Sequence, residues 1–190
     1  MIDAALALLA GQLNQHFRRS FQVTEDLVVL SGLYESASAP NAIAENKLVL
    51  FLTGIERDTA AHPTDRRVSN AASLLQERPP IYLNLLLICA ANFSGASYTE
   101  ALKFLSGAIT FFQGKPVFDH QNASEMDPRL ERLALNIENL GYGEMNNLWA
   151  IHGGHYLPSV LYRVRMVALD SGQIDRRTVP AIAPSVAVRP

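Results

Sequence analysis

The sequence predicts an α+β fold: a mixed, largely antiparallel sheet with two main helices and a short third helix packed on it, followed by an extended C-terminal arm. Three observations predict it. Apolar residues recur every three or four positions in two long segments, other segments are apolar at alternate positions or on both faces, and both patterns stop near residue 170. Residues 1–170 are expected as one domain and 171–190 as the arm. A chain of 190 residues is long enough for one core with such an appendage.

The first helix is expected over residues 2–19, where Ile2, Leu6, Leu9, Leu13 and Phe17 share one face. "LVVL" (27–30) is a short strand, and a Ser/Ala/Pro/Asn-rich loop runs to about Glu45. "NKLVLFLTGIERD" (46–58) and "PPIYLNLLLICAAN" (79–92) read as central strands covered on both faces, with the prolines at an entry where no ladder bond is lost. Between them, residues 59–78 form a long polar excursion, of a length that marks either a functional contact segment or disorder. Ser97 and Glu100 fit a capping box, in which hydroxyl and carboxylate satisfy free backbone N–H groups at a helix start. The helix behind it places Tyr98, Ala101, Leu102, Leu105, Ile109 and Phe112 on one face, and Phe104, Ala108 and Phe111 broaden the stripe. Gly114 ends it and Pro116 blocks its continuation.

"PVFDHQ" then reads as a strand. "ERLALNIENL" alternates, with Leu133, Leu135 and Ile137 against Arg132, Asn136 and Glu138. "GEMNNLWAIHGG" is a short helix burying Met145, Leu148 and Trp149, with Asn146 and Asn147 expected on backbone groups. "LPSVLYRVRMVAL" is a further strand, Val160, Tyr162, Val164 and Met166 on one face and Arg163 and Arg165 on the other. The two arginines are expected to pair with Glu131 and Glu138 on a neighbouring strand, or to meet another subunit. The last residues, "SGQIDRRTVPAIAPSVAVRP", hold three prolines and scattered Val and Ile, which suits an extended arm.

Several groups resemble reactive sites until their spacing is weighed. Lys115 follows Gly114 as in a phosphate-binding loop. Such a loop, however, needs four residues between its glycines, a Ser or Thr after the lysine, and a helix that begins there. Here six residues lie between Gly107 and Gly114, Pro116 follows the lysine, and the helix is ending. A helix C-terminus carries partial negative charge, so Lys115 is expected to complement its carbonyls. His152 and His155 are separated by two glycines that break the turn a metal pair would need, and no further ligand stands at a recognisable spacing. "HGG" has no Gly-x-Ser-x-Gly partner in the chain. Asp119 and His120, as neighbours on a strand, point to opposite faces. Cys89, the only cysteine, sits in an apolar run as a buried inert thiol. The expectation is therefore no enzyme, no cofactor and no metal.

The totals narrow the partners. Sixteen Lys and Arg against eighteen Asp and Glu give no general attraction to nucleic acid or to an anionic membrane. The N-terminal stretch lacks a basic region before its apolar run, and the longest uncharged stretch is interrupted by prolines and asparagines. Neither a signal peptide nor a membrane span is expected, so the chain is expected in the cytoplasm with its two Asn-x-Ser sequons unmodified.

"PP-x-YLNL", "FFQGKPVF", "NNLW" and "YLPS-x-x-Y-x-VR" occur here in one order over residues 2–170. In that order and spacing the chain resembles the cap, or tail-terminator, proteins of phage-tail-like contractile injection systems. The resemblance implies a homo-hexameric ring on the membrane-distal end of the inner tube and contractile sheath. There it would stop polymerisation and fasten the last sheath layer, without chemistry, cofactor, nucleic acid or membrane insertion. Its partners would be itself, the inner tube protein and the sheath protein, assembled in the cytoplasm. The alternative is a soluble assembly chaperone or adaptor for the same particle; a hydrolase or nucleotide-binding enzyme would need His152, His155 or Lys115 to converge with distant groups. Candidate contacts are Arg163, Arg165, Arg66 and Arg67, and Val179, Ile182, Val186 and Val188 of the arm, which could add a strand to a sheath subunit's open edge.

Overall fold

A computed structural model describes residues 1–36, 39–59, 69–70, 73–77, 82–168 and 174–178. In chain order the elements are α1 (Ile2–Phe21), β1 (Val28–Leu30), β2 (Tyr34–Ser36), β3 (Ala39–Pro40), a 3-10 turn (Ala42–Ala44), β4 (Lys47–Arg57), β5 (Ser69–Asn70), β6 (Ser73–Glu77) and β7 (Tyr82–Asn92). A second 3-10 turn (Gly95–Ser97) leads into α2 (Tyr98–Gly114), β8 (Val117–Asp119), β9 (Leu130–Glu138), α3 (Tyr142–Ile151), β10 (Ser159–Ala168) and β11 (Ile174–Thr178). The mixed α+β class expected from sequence is the one observed.

The main sheet has six strands in the order β1-β4-β7-β10-β9-β8. Only β1 and β4 run parallel; the other pairs are antiparallel. β7 lies near the middle because its apolar run suits cover on both faces, and residues 87–91 are buried throughout. β4 meets that expectation for half its length. Leu48 to Phe51 are buried, whereas Ile55 is 50% exposed, because the strand runs past the elements that cover it.

One face of the sheet carries α1 and α2. Leu6, Leu9, Leu13 and Phe17 of α1 pack with Ala101, Leu105, Ala108 and Phe112 of α2 over Leu50, Leu85, Cys89, Leu133, Tyr162 and Val164. The apolar stripe of α2 is wider than the surface it meets. Its buried line is centred on Ala101, Leu105, Ala108 and Phe112, so Tyr98 and Leu102 at its margin stay 53% and 40% exposed. Ile137 of β9 is likewise 46% exposed, beyond the cover its neighbours Leu133 and Leu135 receive. Gly107 is what the helix contact requires: a Cβ there would lie 3.1 Å from Phe17 Cε1 and 3.2 Å from Phe21 Cε2. Asn14, buried in α1, accepts from Val28 N at 2.9 Å and donates to Val28 O at 2.8 Å, tying the first strand to the helix.

Two local expectations are corrected. Ser97 precedes α2, but its side chain makes no cap hydrogen bond, since the 3-10 turn already directs the chain into the helix. A carboxylate cap operates instead at α3, where Glu144 Oε2 accepts from Gly141 N at 2.8 Å. The excursion between the central strands is not featureless: β5 and β6 pair in it, and β11 of the arm pairs with β6, forming a second sheet in the order β11-β6-β5.

Candidate functional site

The opposite face of the main sheet is divided. One half is apolar and lies under α3, where Val49, Phe51, Ile88, Ala90 and Leu161 surround Trp149, with Met145 and Leu148 alongside. Asn146 and Asn147 are exposed on the outer side of α3 and do not serve the core. The helix ends on His152, whose Nε2 lies 2.9 Å from Thr53 Oγ1 and whose ring meets Phe51 edge-on at 5.0 Å. Thr53 is the extra residue of a β-bulge in β4, between Leu52 and Gly54, which turns its hydroxyl toward the end of α3. Burial lowers the His152 pKa. Gly153 and Gly154 follow at φ +92° and +77°, a turn whose left-handed backbone calls for glycine. His155 is exposed beyond it. The His-Gly-Gly-His stretch is thus the C-terminal stop of α3. Among the described residues no group of three His, Cys, Asp or Glu is placed to hold a metal.

The other groups singled out in the sequence are also engaged within the chain. Lys115 reaches away from the helix carbonyls: its Nζ donates to Gln12 Oε1 at 2.8 Å and to Asn122 O at 2.9 Å, and it lies 4.7 Å from the Phe118 ring centre. Its charge is therefore spent joining α1 to the turn after β8. Asp119 Oδ1 accepts from Gln121 N at 3.0 Å and Asn122 N at 3.1 Å, while His120 Nε2 lies 2.8 Å from Leu130 O. The Cys89 thiol is wholly buried, and burial pushes its pKa up to about 12.

The second half of this face is polar. Arg163 and Arg165 project from β10 as expected, but only one expected partner is used. Arg163 Nε donates to Glu138 Oε2 at 2.8 Å and its Nη1 pairs with Glu56. Arg165 pairs with Asp58 Oδ2, Nη2 at 2.8 Å and Nε at 3.0 Å. Glu131 takes no part in these pairs. Glu56 of β4 and Asp58 just past its end reach across β7, where Gly54 and Glu56 align with Leu86 and Asn84, and these in turn with Arg163 and Arg165. Two strand spacings are about 9.6 Å, within the joint reach of an arginine and a carboxylate side chain. Hydrogen bonding to Arg163 lowers the Glu138 pKa. Asn84 is buried beneath this array, 9% exposed, with no hydrogen-bond partner for its Oδ1 among the described residues.

The sequence reading missed Glu56 and Asp58 as members of the array, and it missed the exposed apolar side chains near α3. Tyr142, Ile151 and Tyr156 are 94%, 79% and 58% exposed. Single exposed apolar residues are ordinary, but three flanking one short helix give this face a character unlike the covered one. Arg66, Arg67, Val179, Ile182, Val186 and Val188 lie outside the described residues. No helix among the described residues is long and apolar enough to cross a membrane.

Comparison with known proteins identifies this architecture. Residues 4–181 match the family described as the Pvc16 N-terminal domain. The fold is similar to that of the PVC sheath/tube terminator of an extracellular contractile injection system, seen in its extended state, with TM-score 0.62 and 16% identity over all of this chain and 64% of that one. It is also similar to the anti-feeding prophage tube-terminating cap, with TM-score 0.58 and 14% identity over 94% of this chain and 59% of that one. The chain thus spans about three fifths of the length of the solved structures it matches. Among curated proteins, none matches.

Proposed function

Because this chain belongs to the Pvc16 N-terminal domain family, we propose that it is a structural cap that closes the inner tube and sheath of a contractile injection particle at the membrane-distal end. One observation carries the reading: the fold is similar to that of a sheath/tube terminator, in an alignment that covers this chain and 64% of that one. Six copies form a closed ring, matching the symmetry of the layer beneath and leaving no free interface in the plane. A growing tube or sheath ends in surfaces that recruit the next ring. The cap covers those surfaces and presents a different face outward, so growth stops and the last sheath layer is fastened. It acts by shape, with no reaction to catalyse. That agrees with Lys115, Asp119, His120 and His152 all being committed to contacts inside the chain.

The two faces divide the work. The face under α1 and α2 supplies a rigid apolar core, and the half-exposed array of Arg163 and Arg165 lies toward neighbouring chains or the tube. Assembly takes place in the cytoplasm. Purified particles should contain about six copies each, and a tag on the chain should decorate one end only. Free rings of the 20.9 kDa chain should weigh about 125 kDa. Absence from finished particles, the result a soluble assembly chaperone or adaptor would give, overturns the reading, as does decoration along the whole shaft.

A further inference from the structure

Both edges of the main sheet are stepped. At one, β1 covers β4 only at Leu48, Val49 and Leu50, and Ser31 N donates to Leu50 O. From Leu52 to Arg57 no described strand follows on that side. At the other edge, β8 covers β9 only at Arg132, Leu133 and Ala134, and Leu135 N donates to Pro116 O. From Asn136 to Glu138 that side too is open among the described residues. Each open stretch carries one half-exposed isoleucine, Ile55 at 50% and Ile137 at 46%. Both stand on the face that carries α1 and α2, since Ile55 aligns with Leu85 and Ile137 with Tyr162, two residues of that core. Open ladders recruit other strands unless they are covered.

The two edges belong to one sheet, so their directions are fixed relative to each other. β4, β7, β10 and β9 are each antiparallel to the next, which makes β9 antiparallel to β4. A rotation about an axis along the strands leaves every strand direction unchanged. The β9 edge of one copy therefore meets the β4 edge of a rotated copy as an antiparallel pair. Two different edges at opposite ends of the strand order make a head-to-tail contact, and such a contact forms a ring when the rotation closes.

We propose that the open side of β9 in one copy adds to the open side of β4 in the next, with Ile137 directly opposite Ile55. The proposal rests on the ring reading given above and names the contact that builds the ring. Backbone direction selects the register. Successive residues of a strand turn their N–H and C=O to alternate sides. Leu135 turns its N–H outward from β9, so Ile137 does the same. On β4, Leu48 and Leu50 face β1, and the bulge at Thr53 shifts the alternation by one, so Ile55 and Arg57 face outward beyond it. Ile55 and Ile137 then exchange both backbone hydrogen bonds. Gly54 meets Glu138, and Glu56 meets Asn136, an amide donor for a carboxylate that holds Arg163 through one oxygen. Sliding two residues one way sets Glu138 opposite Glu56, a like-charge pair that destabilises a ladder. Sliding two the other way sets Arg57 opposite Leu133, where Phe118 already pairs. A slide of one residue turns every side chain to the wrong face. In the chosen register the steps interlock: β8 begins to pair at Ala134, just past Arg57, and β1 ends opposite Leu50, clear of Glu138.

A chain with Ile55→Cys and Ile137→Cys tests the contact. Opposite residues that exchange both hydrogen bonds have Cα atoms about 5.5 Å apart, a spacing that a disulfide spans. Within one chain the two positions lie three strand spacings apart, about 14 Å, so only neighbouring copies can be joined. Buried Cys89 stays out of reach. Under mild oxidation of assembled rings or particles, a non-reducing gel should show a ladder from dimer to covalently closed hexamer, and either single cysteine variant should give none. Rings that persist yet run wholly as monomers on that gel overturn the β4–β9 contact and leave the cap reading standing. A chain that is monomeric in solution and absent from particles overturns both. As a second arm, Ile55→Lys with Ile137→Lys should abolish the ring peak, whereas Ile55→Lys with Ile137→Glu should retain it. Equal ring formation by the two variants, with folding confirmed by circular dichroism, overturns the register.

Discussion

The two faces of the main sheet are built on different physics. Under α1 and α2, side chains from both helices and all six strands interdigitate, and Phe17, Leu50, Leu85, Phe118 and Leu133 are completely buried. On the other face, α3 covers only half, and the remainder holds Arg163, Arg165, Glu56, Asp58 and Glu138 in pairs left partly in solvent. Burial of apolar area holds the fold on the first face. Exposed ion pairs contribute little to stability, so the polar half adds little to what holds the fold together. The difference separates what keeps the domain folded from what remains at its surface.

Substitutions break this contrast in a graded way. Phe112→Ala, removing a ring that meets Tyr162 at 5.2 Å in the covered face, should cost about 3–5 kcal/mol in urea unfolding. Gly153→Ala should be next. A Cβ there would stand 2.8 Å from Tyr34 Cε2 at φ +92°, so a loss of about 1–3 kcal/mol is expected. Gly154→Ala, at φ +77° but with open space around it, should lose only about 1 kcal/mol. A comparable loss at both glycines would remove Tyr34 from the account.

On the polar half, Arg163→Ala should cost at most about 1 kcal/mol while weakening ring formation. It should also change the acid response. The Glu138 carboxyl is held below its ordinary range by its hydrogen bond to Arg163. Its contribution is therefore present above the unfolded carboxylate pKa of about 4.3 and is lost as pH falls through the folded value. The variant should lack that increment of acid sensitivity. His152 has the same sign in a higher window. Burial depresses its pKa, so its stabilisation is complete above about 6.5 and declines below, as the unfolded chain takes up a proton first. Wild-type protein should lose more stability between about pH 7 and 5 than His152→Gln. The smallest effect belongs to Tyr162→Phe. The Tyr162 hydroxyl is buried without a hydrogen-bond partner among the described residues, so its removal should leave stability nearly unchanged or slightly raised.

The long elements were legible in the sequence because local periodicity and tertiary burial agree there. Leu6, Leu9, Leu13 and Phe17 mark α1, and Val160, Tyr162, Val164 and Met166 mark the buried side of β10, as observed. Legibility failed where a partner is chosen by register across several strands. Glu56 and Asp58 meet Arg163 and Arg165 only because β4 lies two strands away, a fact no spacing along the chain encodes. Lys115 failed for a related reason, since Gln12 stands on a distant helix. The capping signal at Ser97 was local and still misled, because the 3-10 turn had already fixed the entry to α2. β5 and β6 are too short to carry a clear alternation, and their sheet is completed by β11, a segment far along the chain.

The most direct test of the cap account is the length distribution of particles assembled without this chain. The account predicts that electron micrographs will show tubes and sheaths of broadly scattered length, with coats shed from uncapped ends, and that supplying the chain restores uniform particles. Particles of unchanged, uniform length with intact coats in its absence would contradict it.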